Sequence, residues 1–376
     1  MPDQTGITNY LPSNRVIHGE NALLTLPELI MEFGCRAVLV VTDQGITSAG
    51  HLDSLAKLLG QTDSQHWVFS DVEENPTTVH VDNGLAFAKS LPDLDLIIAI
   101  GGGSVMDCAK GINFLYTNGG RMQDYWGKNK ATKPMLPAIG IPTTAGTGSE
   151  AQSFALITDP QSHRKMACGD IKARFRTVIL DPLLVKTAPH HVMAVTALDA
   201  ISHAVESFVS TVRNPFSTLF AREAWRLLST HLEDVLGDND DVEALIQMQL
   251  GAYLAGMAIE NSMLGAAHAC ANPLTARYGL THGIAVGLLL PHIVVFNATT
   301  VEPLYEELLD GGSERLAMRL REFLEISGIE PRLRDYGIPV AGLPGLASLA
   351  TDEWTGKFNP RAVDEAAFLE LYELAF

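Results

Sequence analysis

The pattern of apolar residues changes once along this 376-residue chain, near Leu184, and that change limits what it can fold into. Before it, short β-branched runs alternate with polar or helical stretches. Residues 37–43 (AVLVVTD), 66–72 (HWVFSDV), 96–103 (LIIAIGGG), 135–144 (MLPAIGIPTT) and 176–182 (RTVILDP) read as strands. Residues 80–91 and 105–116 carry helical spacing. Strands alternating with helices predict a parallel sheet covered on both faces. After Leu184 the strand-like runs stop. Helical patterns follow over 195–210, 216–234, 241–265, 282–297, 313–327 and 361–374. The chain therefore reads as an α/β domain, residues 1–184, followed by an all-helical one, residues 185–376, with the boundary between 182 and 190. The acidic stretch 234–243 reads as a solvated helix–helix connection.

Composition removes some functions. The 26 basic against 44 acidic side chains give a net charge of −18, which repels phosphate backbones and argues against a nucleic-acid partner. No apolar run reads as the roughly 18 residues of a membrane helix, so no membrane partner is expected. Residues 1–16 show no charged start followed by an apolar core, as a secretory leader would. Cys35, Cys108, Cys168 and Cys270 form no C-x-x-C pair and read as reduced thiols of a cytoplasmic protein.

Four side chains in the second half have the look of a metal site. Asp199 and His203 are four apart in TALDAISHAVES, so a helix projects them from one face. His268 and His282 are fourteen apart in GAAHACANPLTARYGLTHG, which suits one near a helix end and one at the start of the next element. Three imidazoles and one carboxylate, with no thiolate, fit a divalent cation in Lewis-acid chemistry rather than a structural zinc knot. The alternative is four unrelated polar side chains. His292 lies in an apolar helical run and reads as a core or ligand-supporting residue; His190 and His191 read as turn residues.

In the first half, LIIAIGGGSVMDCAK is strand, glycine run, helix. Backbone N–H groups there can approach an anion, and the helix start adds partial positive charge, which suits a pyrophosphate. Neither G-x-G-x-x-G nor a Walker A loop is present. Ser104 and Asp107 also fit an S-x-x-D capping box, in which case the glycines make only a tight turn. Asp43, at a strand end, can accept hydrogen bonds from ribose hydroxyls and repel a 2′-phosphate, or can be a turn aspartate. PTTAGTGSE, residues 142–150, offers Thr143, Thr144, Thr147 and Ser149 on a loop following a strand.

Together these segments resemble the iron-dependent (group III) alcohol dehydrogenase family. The resemblance rests on GGGSVMDCAK, IPTTAGTGSE, TALDAISHAVES, the block from His268 to His282, LLLPHIVVFN and FNPRAVDEAAFLELYELAF, in order and nearly end to end. It implies a dehydroquinate-synthase-like fold, with a dinucleotide-binding α/β domain and a helical domain. It implies that Asp199, His203, His268 and His282 bind Fe²⁺, or Zn²⁺. It implies NAD as cofactor, with the pyrophosphate on Gly102, Gly103 and Ser104, and with Asp43, Asn75, Asp107, Thr143, Thr144, Thr147 and Lys165 completing the binding set. Two positions depart from the family pattern. Asn272 stands where many members have a histidine, and an amide does not titrate near neutrality. IENSM, residues 259–263, puts Glu260 where many have Phe-Asn-Asn.

The function implied is interconversion of a small primary alcohol or diol with its aldehyde, with no catalytic group beyond the metal ligands. A divalent cation lowers an alcohol's pKa, and a nicotinamide accepts the hydride. The alternatives are same-fold relatives: glycerol dehydrogenase, lactaldehyde or phosphonoacetaldehyde reductase, hydroxyacid–oxoacid transhydrogenase and maleylacetate reductase. A non-catalytic metal- or nucleotide-binding protein is the reading from another class. The family also implies a small-molecule partner and suggests a homo-oligomer.

Overall fold

The apolar runs of the first half become one parallel sheet. The structure, a computed structural model, describes residues 10–11, 14–162, 164–238 and 240–376, so most of the opening segment searched for a leader lies outside the described residues. The chain divides into two units, one of residues 12–144 and 148–188, the other of residues 1–11, 145–147 and 189–376.

The first unit runs β1 (Arg15–His18), α1 (Leu26–Phe33), β2 (Ala37–Val41), α2 (Gln44–Ser48), α3 (His51–Leu59), β3 (Gln65–Phe69), α4 (Thr78–Lys89), β4 (Leu96–Gly101), α5 (Gly103–Asn118), β5 (Gly127–Lys128), β6 (Ala138–Pro142), β7 (Phe154–Asp159), β8 (Arg164–Gly169), β9 (Thr177–Leu180) and α6 (Pro182–Val185). Six strands form a parallel sheet in the order β1-β9-β6-β4-β2-β3. From β2 the chain moves outward to β3, then returns to β4 and continues to β6 on the other side. The strand order therefore reverses between β2 and β4, and ligands of such sheets sit at the carboxyl ends of the strands at that point.

Val38, Val40, Ile98, Ile100, Ile139 and Ile141 pack on α1 and α3 in one core. Leu39, Val41, Ile97 and Ala99, of the opposite parity, are equally buried. Burial on both faces is why these strands are continuously apolar rather than alternating. Each such aliphatic side chain contributes about 2 kcal/mol of transfer free energy. The five expected strands are present as β2, β3, β4, β6 and β9, each shorter than its run. Short β1 and the small sheet β5-β8-β7 were not expected. β7 and β8 form a hairpin, Phe154 opposite Gly169, too mixed in polarity to read as buried strands.

The second unit is helical: α7 (His190–Val209), α8 (Pro215–Gly237), α9 (Val242–Glu260), α10 (Ala266–Tyr278), α11 (His282–Leu308), α12 (Gly312–Ile326), α13 (Leu343–Asp352) and α14 (Glu365–Ala375). Asn214, Asp241 and Asp364 accept hydrogen bonds from the first turns of α8, α9 and α14, so the acidic connection after α8 also starts α9. The pattern over 241–265 overruns α9, which stops at Glu260; α10, not expected separately, begins at Ala266. α11 continues past residue 297 with a break in helical geometry at Val301.

Two expectations need correction. His190 and His191 are not in a turn; they open α7, and the His190 ring meets the Leu236 carbonyl at 3.2 Å. Among the described residues three helices, α7, α9 and α11, are long and apolar enough to cross a membrane by length and composition, although none had read so. Their most apolar windows are 89, 67 and 61% buried within the fold, so helix packing accounts for much of that apolar surface.

Candidate metal and nucleotide sites

α7 carries polar groups where an apolar helix would ordinarily have none. It is buried from Met193 to Val209 almost without interruption, yet Asp199, His203 and Glu206 are only 7, 5 and 3% exposed. Spacings of four and three residues put them on one helix face. A buried carboxylate is stable only if paired, hydrogen-bonded or bound to a cation. His268 arrives on the third residue of α10 and His282 on the first of α11.

The four side chains converge. Asp199 Oδ1 lies 3.3 Å from His203 Nε2, 3.5 Å from His268 Nε2 and 3.8 Å from His282 Nε2. Donor atoms of Asp199, His268 and His282 all lie within 4.8 Å of one another; His203 stands outside that trio, its ring stacked on His268 at 4.9 Å. Asp199 Oδ1 and His268 Nε2 are buried with no hydrogen-bond partner. Buried polar atoms left in that state cost free energy. A carboxylate oxygen ringed by imidazole nitrogens, slightly too far for good hydrogen bonds, fits a shared cation.

Burial and mutual charge act together on Asp199, His203 and His268. Burial would raise the Asp199 carboxyl, but the surrounding imidazoles outweigh it and hold it well below the usual range. Burial lowers His203 to about 4. His268 is equally buried, but it faces both Asp199 and Glu206, which raise it to about 9. Glu206 is the residue that sequence reasoning missed. Its Oε2 is 2.6 Å from His268 Nδ1, and its Oε1 accepts the Ala267 N–H at 2.6 Å. The available signal was its place in TALDAISHAVES, seven after Asp199 and on the same face.

Several of the proposed nucleotide residues meet at the strand carboxyl ends of the first unit. Gly101 ends β4 at φ 156°, where a Cβ would overlap the Val105 side chain at 2.6 Å, so the turn into α5 requires glycine. The Thr143 N–H bonds the Gly101 carbonyl at 3.1 Å, and Thr144 lies against Gly102. Asn75, at φ 55°, donates its N–H to Ser104 Oγ at 3.2 Å. Asp43 follows β2 and accepts the Ile46 N–H at 2.9 Å as the cap of α2. Thr147 groups with the helical unit. Lys165 is exposed on β8, opposite Thr158.

The capping box is corrected. Gly102 is the residue before α5, so Ser104 and Asp107 lie inside the helix. Asp107 is buried and accepts from Ser149 Oγ, while Lys110 Nζ donates to the Ser149 carbonyl at 2.7 Å and the Phe154 carbonyl at 2.6 Å. Asp107 and Lys110 thus tie α5 to the loop after β6, and burial raises the Asp107 carboxyl despite Lys110. Lys110 was not singled out in the sequence.

Asn272, one turn beyond His268 on α10, donates Nδ2 to Glu353 Oε2 at 2.8 Å, so a carboxylate stands beside that position. Glu260 is half-buried at the end of α9. His292 is ten residues from His282 on α11, about 15 Å along the axis. Burial and Arg321 lower it to about 4, which suits a core position rather than support of the ligands.

Residues 12–182 match the family described as iron-containing alcohol dehydrogenase, and residues 193–376 match that described as the Fe-containing alcohol dehydrogenase family, C-terminal. The chain is 35% identical to alcohol dehydrogenase 4 of Schizosaccharomyces pombe, over 93% of this chain and 85% of that one. It is 30% identical to the NAD-dependent methanol dehydrogenase of Bacillus methanolicus, over 94% and 96%. The crystal structure of a 1,3-propanediol oxidoreductase superposes with a TM-score of 0.95 at 30% identity, covering 98% of this chain and all of that one.

Proposed function

The chain belongs to the iron-containing alcohol dehydrogenase family, and from that premise we propose that it interconverts a small primary alcohol or diol and its aldehyde, using NAD and a divalent metal, Fe²⁺ or Zn²⁺, held by Asp199, His203, His268 and His282. It is an oxidoreductase acting on CH–OH groups. The observation that carries the metal assignment is the convergence of three imidazole Nε2 atoms on Asp199 Oδ1 at 3.3, 3.5 and 3.8 Å.

When bound, the cation supplies Lewis acidity toward the alcohol oxygen and the nicotinamide accepts the hydride. Asp199 would be the single anionic ligand, so a divalent cation held there would keep net positive charge. In this reading residues 1–184 hold NAD. Gly102, Gly103 and Ser104 present the start of α5 to the pyrophosphate. Asn75, Thr143, Thr144, Thr147 and Lys165 line the cofactor, and Asp43 selects NAD by repelling a 2′-phosphate. Asp107 acts by holding the loop at Ser149. Residues 185–376 hold the metal. Four free thiols support a reducing, cytoplasmic setting.

The test is NADH formation by Fe²⁺- or Zn²⁺-reconstituted protein across short primary alcohols and diols, with metal-free protein as control. Metal-dependent turnover is expected. A metal-loaded protein that binds NAD but turns over none of these alcohols or their aldehydes overturns the reading.

A further inference from the structure

We infer that Glu206 is a positioning residue that dictates which nitrogen of His268 faces the metal; this rests on the metal reading above. The carboxylate is 3% exposed and both its oxygens are engaged. Oε1 accepts the Ala267 N–H and Oε2 lies 2.6 Å from His268 Nδ1. The Ala267 N–H is the second of α10, and backbone N–H groups at a helix start have no partner within the helix. It can only donate. With Oε1 committed there, Oε2 takes the Nδ1 proton of His268, and Nε2, 3.5 Å from Asp199 Oδ1, is the nitrogen left to face a cation.

The surroundings hold this arrangement. A Cβ on Gly265 would sit 3.0 Å from Glu206 Oε1 and from Asn359 Oδ1, so glycine leaves room for both acceptors. Asn359 Oδ1 accepts the neighbouring Ala266 N–H at 3.3 Å. Asn359 is fixed in turn by Asn297 through two side-chain hydrogen bonds of 2.7 and 3.1 Å. The first turn of α10 thus has two caps: Asn359, which does not touch His268, and Glu206, which does.

That pair makes a discriminating experiment. An amide has one acceptor where the carboxylate has two. In Glu206→Gln the oxygen must still face the Ala267 N–H, so the NH₂ faces Nδ1 and drives the His268 proton to Nε2, the ligating atom. The cap survives and the ligand is lost. We expect Glu206→Gln to weaken Co²⁺ binding by roughly tenfold or more and to alter the visible d–d bands of the bound ion. Asn359→Ala, which removes the other cap, is expected to lower the melting temperature while leaving those bands in place. Equal Co²⁺ affinity and identical bands in Glu206→Gln and the parent overturn the inference alone. A parent protein that binds no Co²⁺ overturns the metal reading and this inference with it. Should Glu206→Gln fail to fold, ¹⁵N-histidine NMR of the Zn²⁺-loaded parent decides: a proton on His268 Nδ1 is expected, and ligation through Nδ1 overturns the assignment.

Discussion

Gly283 meets the Val195 carbonyl so closely that a Cβ on it would overlap that oxygen. The contact brings the first turn of α11 onto α7 one turn before Asp199. It is how His282, the neighbour of Gly283, reaches 3.8 Å from Asp199 Oδ1. Gly283→Ala should push the two helices apart, at a cost of about 1–3 kcal/mol, and loosen the metal. Thermal unfolding and metal content of the purified variant measure both. Unchanged metal content would show that the contact does not set the ligand.

His282→Ala removes the proposed ligand whose side chain is 23% exposed, the least buried of the four. Bound metal should fall by at least about tenfold and turnover with it. NAD affinity should stay within about threefold, because in the proposed reading His282 is not among the residues that hold the dinucleotide. Equilibrium binding of NAD to the variant checks the division, and an equal loss of NAD and metal would contradict it.

Asp43 caps α2 and, in the proposed reading, also selects the cofactor, and the two roles can be separated. The cap needs an oxygen; discrimination against a 2′-phosphate needs a charge. Asp43→Ser keeps a cap and drops the charge. The ratio of kcat/KM for NADP to that for NAD should rise by at least about tenfold, a change of about 1.4 kcal/mol. An unchanged ratio would remove Asp43 from the ribose role.

Glu150 is 4% exposed, and burial pushes its carboxyl from an ordinary 4.5 up to about 7. The folded state then holds a proton that the unfolded state releases. Stability is full below about 4.5 and is lost as pH rises through about 7. The loss is on the order of 3 kcal/mol at most. Glu150→Gln cannot ionise, so its stability relative to the parent should improve between pH 5 and pH 8. Denaturant midpoints at both pH values test this, and a constant difference between the two proteins would refute it.

Much of the scaffold was legible because its signals are local. The buried strands declare themselves by unbroken β-branched runs, and α7 by its length and period. Asp199 and His203 were readable as a pair because helix geometry alone puts residues four apart on one face. Local signals also misled. Ser104 and Asp107 have capping-box spacing, but the helix begins at Gly103, so the spacing falls inside it. β7 and β8 went unread because a half-exposed hairpin lacks the apolar continuity of the central strands.

The sequence by itself determined the central parallel strands, most of the long helices and the residue types able to hold a cation, since each follows from local pattern over a few turns of chain, and its motifs taken in order carried the family resemblance. Only the tertiary structure decided that three Nε2 atoms surround one oxygen of Asp199, that Glu206 rather than solvent meets His268 Nδ1, and that Asp107 bonds Ser149 instead of capping α5. These depend on how far apart helices pack, down to whether Gly283 can touch Val195. Such distances are set by side chains scattered through the whole unit, and no spacing within a single segment encodes them.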